Sequence, residues 1–371
     1  SKYRKISKIV YKYIVAQKLK LNQNKTVFVG LSGGVDSSVS ALLLKKAGYK
    51  VVGVFIKTWH PDFIVCNEEE ERLDAMRVAA FLDIPFLTLD LEEVYKTGVA
   101  DYMISEYKKG RTPNPDVMCN REVKFGAFLK FALEKGADFV ATGHYARNIN
   151  NSLFRGKDMS KDQSYFLWTL TKKQLTNIIF PVGDLDKKEV RKIAEKNKLP
   201  VSMKKDSQGI CFLGDIDLKD FLKHYIKSKK GKVVNEHGEE IGYHDGVLFY
   251  TLLERHGFTI TKKTNNDARY YVVAKDIKNN ILVVSNEKKL VMNQNHSKDI
   301  IITELNILED FKEDKNYDMQ VRYHGEIIKT KLSKLSDARI KILTQNEVIV
   351  ASGQSIVVYD KDKVILAGIV E

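Results

Sequence analysis

The nine residues Gly30-Leu31-Ser32-Gly33-Gly34-Val35-Asp36-Ser37-Ser38 decide how the chain is read. Before them stands the β-branched and aromatic run Thr26-Val27-Phe28-Val29. After them Val39, Leu42, Leu43 and Ala47 recur at helical spacing between Ser37 and Ala47. The pattern predicts a strand, a tight glycine turn and a helix. Such a turn aims backbone N–H groups outward at the positive end of a helix, a site for a phosphate or pyrophosphate group. The hydroxyls of Ser32, Ser37 and Ser38 add donors, and Asp36 beside an anion makes sense with a Mg²⁺ ion between its carboxylate and the phosphates.

The loop lacks the Gly-x-x-x-x-Gly-Lys-[Ser/Thr] spacing of kinases and GTPases and has no lysine in the turn, which argues against γ-phosphoryl transfer. Its Ser-Gly-Gly-x-Asp-Ser pattern resembles the loop of the ATP pyrophosphatase group, enzymes that adenylate a substrate oxygen and release pyrophosphate. The motif alone leaves the substrate open.

Outward from the loop, Gly48 reads as a helix C-cap, Tyr49 to Ile56 as a second strand and Glu68 to Leu82 as a helix. Pro85 to Leu89 is a third strand, Glu92 to Lys109 a helix, Val123 to Lys135 another closed by Gly136, and Phe139 to Thr142 a fourth strand. Alternation of this kind predicts an α/β doubly wound parallel sheet, with ligands at the carboxyl ends of the strands. The Gly30 loop, the segment after Ile56 and the Gly143-His144 turn are expected to converge there.

Between two of these helices lies Gly110-Arg111-Thr112-Pro113-Asn114-Pro115-Asp116-Val117-Met118-Cys119-Asn120. Two prolines predict a stiff, non-helical surface loop holding Asp116 and Cys119 three apart. Near a helix start at about Glu122, the Cys119 thiolate is favoured, and Asp116 is close enough to exchange a proton with a substrate. Further on, Lys161 to Phe166 interleaves polar and aromatic groups, fit either for an unstacked base or for a capped helix start. Leu185 to Lys198 reads as a lysine-rich helix, followed by the polar loop Lys205 to Phe212, which contains Cys211. Two loop cysteines, each preceded by an acid, point to redox or sulfur-carrying chemistry. Cys66 has no such setting.

From about Asp215 the character changes. A short basic helix is expected over Phe221 to Lys230, then short strands at Lys232 to Val234, Ile241 to Tyr243, Val247 to Leu252 and Arg269 to Val273. Beyond Asn286 seven runs (Ile300 to Leu305, Tyr317 to Tyr323, Ile327 to Leu332, Arg339 to Leu343, Glu347 to Ala351, Ser355 to Tyr359, Val364 to Ile369) predict a small β-barrel. The expected organisation is a basic helical extension over 1–24, an ATP pyrophosphatase (HUP-like) domain over 25–213, a small mixed α/β central domain over 214–284 and a β-barrel domain over 285–371.

The 371 residues exceed one ordinary core, and 61 Lys plus Arg against 48 acids (net +13) favour a polyanionic partner such as nucleic acid, though lysine-rich surfaces also arise for other reasons. Three cysteines argue for a reducing compartment, and no apolar run approaches the roughly 20 residues a bilayer needs, so a cytoplasmic location without membrane association is expected. The first 25 residues carry eight Lys or Arg and no acid. Their amphipathic pattern fits a helix that touches RNA or one packed on the first domain.

Six segments in order, Gly30 to Ser38, Gly110 to Phe125, Ala141 to Ala146, Lys161 to Phe166, Asp206 to Phe212 and Gly353-Gln354-Ser355, resemble those of the tRNA-specific 2-thiouridylases. The resemblance spans nearly the whole chain from Thr26. It implies ATP binding by Gly30, Leu31, Ser32, Gly33, Gly34, Val35, Asp36, Ser37, Ile56 and Gly143, with Asp36 near Mg²⁺. It implies Cys119 as nucleophile, Cys211 as bearer of a persulfide received from a cysteine desulfurase or sulfur-relay protein, and Asp116 as acid or base. It implies tRNA contacts from Asn114, Pro115, Asp116, His144, Lys161, Asp162, Gln163, Arg322, Tyr323 and Gln354. The implied reaction adenylates O2 of the wobble uridine; the persulfide sulfur then reaches C2 directly or as sulfide freed by Cys119, leaving a disulfide to be reduced. The flipped wobble base suits a loop pocket on a positively charged body.

Departures are also visible. Where the family has Tyr-Thr-Ile-Gly-Gln-Arg, this chain has Tyr250-Thr251-Leu252-Leu253-Glu254-Arg255; Ile56 replaces a methionine, and the closing glycine-rich turn is reduced to Ala367-Gly368. Two rival readings stand beside the thiolase: another pyrophosphatase-loop ligase acting on a small metabolite, with no use for Cys119 or Cys211, and an RNA-binding protein with a dead nucleotide loop. An iron-sulfur cluster on Cys119, Cys211 and Asp116 is a less favoured variant of the sulfur route.

Overall fold

β-Branched residues at Val27 and Val29 are fully buried, as a central strand walled by helices on both faces requires. That strand, β1 (Thr26–Gly30), pairs in parallel with β2 (Lys50–Lys57), which pairs with β3 (Phe86–Asp90). On its other side lie β4 (Phe139–Ala141) and, after the antiparallel hairpin of β5 (Ala146–Ile149) and β6 (Ser152–Arg155), the short β7 (Ile178–Ile179). The order β3-β2-β1-β4-β7 is the doubly wound arrangement expected, a HUP-like parallel sheet. Helix Val35–Lys46 buries Val39, Leu42 and Leu43 against it, and burial of each such side chain contributes about 1.5–3 kcal/mol.

The computed structural model describes residues 24–64, 67–205, 217–262, 269–286 and 296–371. Cys66, Cys211 and the basic extension over 1–23 lie outside the described residues. Two compact units are discontinuous in sequence: residues up to 99, 115–215 and 360–364 form the first, and 100–114, 216–359 and 365–371 the second.

In the second unit, β8 (Gly231–Val234), β9 (Glu240–His244), β10 (Thr259–Ile260), β11 (Tyr271–Asp276) and β12 (Ile281–Ser285) form a sheet in the order β10-β9-β8-β12-β11. The next six strands, β13 (His296–Ile307), β14 (Tyr317–Gln320), β15 (Ile328–Ser336), β16 (Arg339–Ile349), β17 (Ser355–Asp360) and β18 (Lys363–Val370), run in the order β13-β16-β15-β14-β17-β18. Pairing of β13 with β18, as at Ile302↔Val370, closes them into a barrel around Ile300, Ile302, Met319, Leu332, Ile342, Ile356 and Val358.

Several expectations are corrected. The prolines of the 110–120 segment do not exclude a helix: Pro115 begins one (Pro115–Met118), where its missing N–H is an orphan in any case and its fixed φ suits the first turn. A π-helical stretch, Cys119–Ala127, continues into helix Phe128–Glu134, so the helix expected from Val123 starts eight residues earlier. The helix expected over Glu92 to Lys109 contains a π-helical stretch at Lys96–Asp101. Val247–Phe249 is a 3₁₀ turn rather than a strand, entered through Gly246 at φ 149°, and the basic helix lies earlier and shorter, at Leu218–Lys223. The run Arg339 to Leu343 and the first three residues of the run Glu347 to Ala351 fall within one strand, β16, so the barrel has six strands rather than seven.

Candidate active site

The turn after β1 owes its shape to Gly33, at φ +70°, where an added Cβ would come within 2.5 Å of the Glu71 carbonyl oxygen. Gly34 is the N-cap of helix Val35–Lys46, and no side chain caps that end. The serines bond inward: Ser38 Oγ donates to the Gly34 carbonyl at 2.7 Å, Ser40 Oγ to the Asp36 carbonyl at 2.9 Å, and the Ser32 N–H donates to Ser37 Oγ at 3.3 Å. A helix N-terminus left uncapped by side chains, at the carboxyl end of a central parallel strand, has the chemistry to hold phosphate oxygens.

Gly143, after β4, meets this turn at backbone distance. A Cβ there would lie 2.7 Å from the Ser37 nitrogen and 2.9 Å from the Asp36 carbonyl carbon. Ile56 is buried near the end of β2 and pairs with Leu89.

Asp36 has partners that the motif does not reveal. Lys187 Nζ lies 2.7 and 2.8 Å from its two carboxylate oxygens, and the Tyr145 hydroxyl donates to Oδ1 at 2.8 Å. Tyr145 is held in turn by Gln163: the Tyr145 N–H donates to Gln163 Oε1 at 2.9 Å, and the Gln163 N–H donates back to the Tyr145 carbonyl at 2.9 Å. Sequence reasoning missed Lys187 and Tyr145. One signal was available for Lys187: it is the first residue of a helix capped by Asp186 and Glu189, where the helix dipole disfavours a cation. Among the described residues no group of three or more His, Cys, Asp or Glu side chains is arranged to hold a metal ion. Asp36 therefore fits a Mg²⁺ ion only in company with phosphate oxygens.

Asp116 lies in the first turn of helix Pro115–Met118 and is half-buried; Cys119 follows one turn later. Cys119 is fully buried, in contrast to the surface setting expected of it. Its neighbour Asn120 donates from Nδ2 to the Phe166 carbonyl at 3.2 Å, which ties this helix to the Ser164–Leu167 turn of the Lys161 to Phe166 segment.

Within that segment Asp162 is buried. Its carboxylate accepts from the N–H groups of Gly156 and Ser164, from Ser164 Oγ at 3.0 Å and from Arg155 Nη1 at 3.3 Å. These bonds fold the segment on itself. His144 is buried too, its ring between those of Phe125 and Phe180 and its Nδ1 2.7 Å from Thr142 Oγ1. Burial, helped by the nearby Lys124 charge, pushes the His144 imidazole well below its ordinary pKa, so it is neutral at pH 7. Lys161 and Gln163 are half-buried.

Asn114, Arg322, Tyr323 and Gln354 belong to the second unit, Pro115 to the first. Gln354 links two turns there: its Nε2 donates to the Val321 carbonyl at 2.6 Å, and its Oε1 accepts from the Ala351 N–H at 3.1 Å. Arg322 Nη2 reaches the Leu252 carbonyl at 3.4 Å, and the exposed Tyr323 ring stacks on His324 with centroids 3.9 Å apart. Leu253 occupies the family's glycine position at φ +67°, and Glu254, in place of glutamine, forms a 2.5 Å ion pair with Lys219.

Three family models cover most of the chain: a tRNA methyl transferase HUP domain over 25–215, a tRNA methyl transferase PRC-barrel domain over 219–286 and an aminomethyltransferase beta-barrel domain over 297–370. The tRNA-specific 2-thiouridylase MnmA of Streptococcus thermophilus is 40% identical over 360 residues, 94% of this chain and 96% of that protein. That of Proteus mirabilis is 43% identical over 364 residues, 94% and 98% of the two chains. Among solved structures, the U34-tRNA thiolase NcsA of Methanococcus maripaludis with its [4Fe-4S] cluster aligns at 17% identity and TM-score 0.37 over 59% of this chain and 71% of that one, too slight a likeness to bear on mechanism. On full-length identity at this level, the chain belongs to the tRNA-specific 2-thiouridylase family.

Proposed function

We propose that this protein is an ATP-dependent tRNA-uridine 2-sulfurtransferase, converting the wobble uridine to 2-thiouridine with release of AMP and pyrophosphate. The observation that carries the proposal is the uncapped helix N-terminus behind Gly33-Gly34, with Asp36 and Lys187 beside it, in a chain that matches a 2-thiouridylase over 94% of its length. Two of the domain descriptions speak of methyl transfer instead. A phosphate cradle at the carboxyl edge of the sheet supports activation of an oxygen by adenylation, a step that methyl transfer does not need.

In this reading the backbone from Gly30 to Ser37, with Ile56 and Gly143, holds ATP. Asp36 with the phosphates would hold Mg²⁺, which when bound supplies charge neutralisation. The uracil O2 attacks the α-phosphorus and pyrophosphate leaves, which makes O2 part of a good leaving group. The Cys119 thiolate attacks the inner sulfur of a persulfide on Cys211, forming the Cys119–Cys211 disulfide and releasing hydrosulfide. Hydrosulfide adds at C2, AMP departs with O2, and an external thiol reduces the disulfide. Asp116 takes or returns the proton. A cysteine desulfurase or relay protein would load Cys211, and the need for a reductant assigns the reaction to the cytoplasm. Asn114, Pro115, His144, Lys161, Asp162, Gln163, Arg322, Tyr323 and Gln354 would form or shape the RNA surface; Asp162, Gln163 and His144 act by positioning, given their internal bonds.

The test is incubation with ATP, unmodified tRNA and a persulfide donor, followed by nucleoside digestion. We expect 2-thiouridine from the wild type and none from Cys119→Ser or Cys211→Ser. Full activity in both variants would remove the assigned cysteine roles.

A further inference from the structure

Lysine is costly inside a protein unless something holds its charge. Lys275, on β11 of the second unit, sends its ammonium inward to two backbone carbonyls, those of Gly110 at 3.1 Å and Tyr250 at 2.9 Å. Gly110 opens the segment that ends at Asn114, and Tyr250 opens the segment that carries Leu252.

Other bonds complete a circuit within the unit. The Thr112 N–H donates to the Ser352 carbonyl at 2.8 Å, and next to it Gly353 lies so close that a Cβ would meet the Thr112 nitrogen at 3.0 Å. Gln354 bridges from that turn to the Val321 carbonyl, and Arg322 returns to the Leu252 carbonyl. Arg111 adds a 2.6 Å ion pair to the buried Glu106. Four segments distant in sequence are thereby closed into one ring: 110–114, 250–254, 321–323 and 351–354.

We propose that Lys275 is the positioning residue that locks this ring, so that Asn114, Arg322, Tyr323 and Gln354 are preset as one surface for single-stranded tRNA before the RNA arrives. The proposal rests on the tRNA reading above. Gly110 itself sits at φ +75°, where a side chain would strain the backbone at the start of the segment.

Burial pushes the Lys275 pKa down to about 8, against the opposing pull of Glu254. Among the described residues, the charge acting on it is that of Glu254, itself paired with Lys219; Tyr250, whose hydroxyl is pushed up to about 12, and Tyr107, also raised by burial, feel the same carboxylate, and Glu106, Lys109 and Arg111 pair with one another on the adjoining segment. Above pH 8 the neutral amine retains weaker bonds to both carbonyls. The folded state releases this proton more readily than the unfolded chain, so its loss does not lower global stability. A change in RNA affinity over that pH range therefore separates positioning from folding.

The experiment uses full-length protein and unmodified tRNA. Amide exchange is read at Arg111 and Thr112 without RNA, and affinities for tRNA and ATP are measured for the wild type, Lys275→Met and Lys275→Arg. We expect Lys275→Met to speed exchange at Thr112 and to weaken tRNA binding, each by about tenfold, from the loss of two charge-assisted bonds, with ATP affinity unchanged. Between pH 7 and 9 the wild type should lose tRNA affinity by about three- to tenfold and Lys275→Arg should not, because its charge persists. Unchanged exchange in Lys275→Met overturns the lock. Faster exchange with unchanged tRNA affinity overturns its bearing on RNA. A wild type that binds no tRNA defeats the proposed function instead, and the exchange measurement still judges the ring.

Discussion

Gly143→Ala adds one methyl group at the point where β4 meets the phosphate-facing turn. That methyl would stand 2.7 Å from the Ser37 nitrogen, 2.9 Å from the Asp36 carbonyl carbon and 3.1 Å from Asp36 Cβ, and two of these three atoms are backbone that no rotamer change can move. Against an ordinary contact of about 3.5–4.0 Å the overlap is roughly 0.5–1 Å, and relieving it displaces the first turn of helix Val35–Lys46. Overpacking of this kind costs about 1–3 kcal/mol. Because the displaced atoms include the N–H groups proposed to hold phosphate, a comparable loss is expected in binding, about 10–100-fold in ATP affinity by titration calorimetry. The thermal midpoint should fall by about 2–10 °C. Gly136→Ala is the control: unlike Gly143 it sits at positive φ, +83°, but nothing lies within 4 Å of its would-be Cβ, so it should lose a little stability through backbone strain and no ATP affinity. An unchanged ATP affinity in Gly143→Ala, with an unchanged midpoint, would refute the packing argument and with it the placement of nucleotide at this turn.

Other outcomes follow from the same geometry. Lys187→Met leaves Asp36 without its cation beside the phosphate cradle and should weaken ATP binding about tenfold in calorimetry, while Lys187→Arg should retain most of it. Asp162→Asn removes the opposite charge 3.3 Å from the buried Arg155 guanidinium and should cost about 3–5 kcal/mol in denaturant unfolding, with ATP binding lost only in step with folding. His144, held neutral, takes up no proton below its ordinary pKa although the unfolded chain does. Stability should therefore fall with pH below about 6.5, by up to about 1.4 kcal/mol per unit, and a His144→Phe variant should lack that component. Leu253 already bears a cost of about 1–2 kcal/mol for the left-handed region at φ +67°, and Leu253→Val adds β-branching to it and should lower the thermal midpoint further.

What could be read from the sequence is what local periodicity encodes. The strand, turn and helix around Gly33-Gly34 were legible because apolar spacing changes period across two glycines, and the parallel order followed from alternation. Pro115 misled because proline forbids a helix interior but favours its first turn, and the two positions look alike without the structure. The β5–β6 hairpin went unread although its turn, Asn150-Asn151 at φ 53° and 62°, carries a residue type that tolerates the left-handed region. At the proposed site, Gly33 and Asp36 stood out from the loop pattern, and the Gly143 turn was expected to converge on that loop, as it does. Lys187 was not, because its partner lies 151 residues away and the one local hint, a cation at the first position of a helix, does not name that partner. The Lys161 to Phe166 segment was open to two readings, an unstacked base or a capped helix start, and the hydrogen bonds of Asp162 and Gln163 turn these two side chains toward the protein.

The allegiance of residues 100–114 bears on any attempt to dissect the protein. A fragment ending at residue 213 would contain this stretch but none of its anchors, lacking Lys275, Ser352 and Gly353. A fragment beginning at 214 would contain the anchors and nothing for them to grip. Cutting the gene at the apparent linker thus severs a three-dimensional knot of bonds that linear order conceals, and complementation between two such pieces would have to rebuild it.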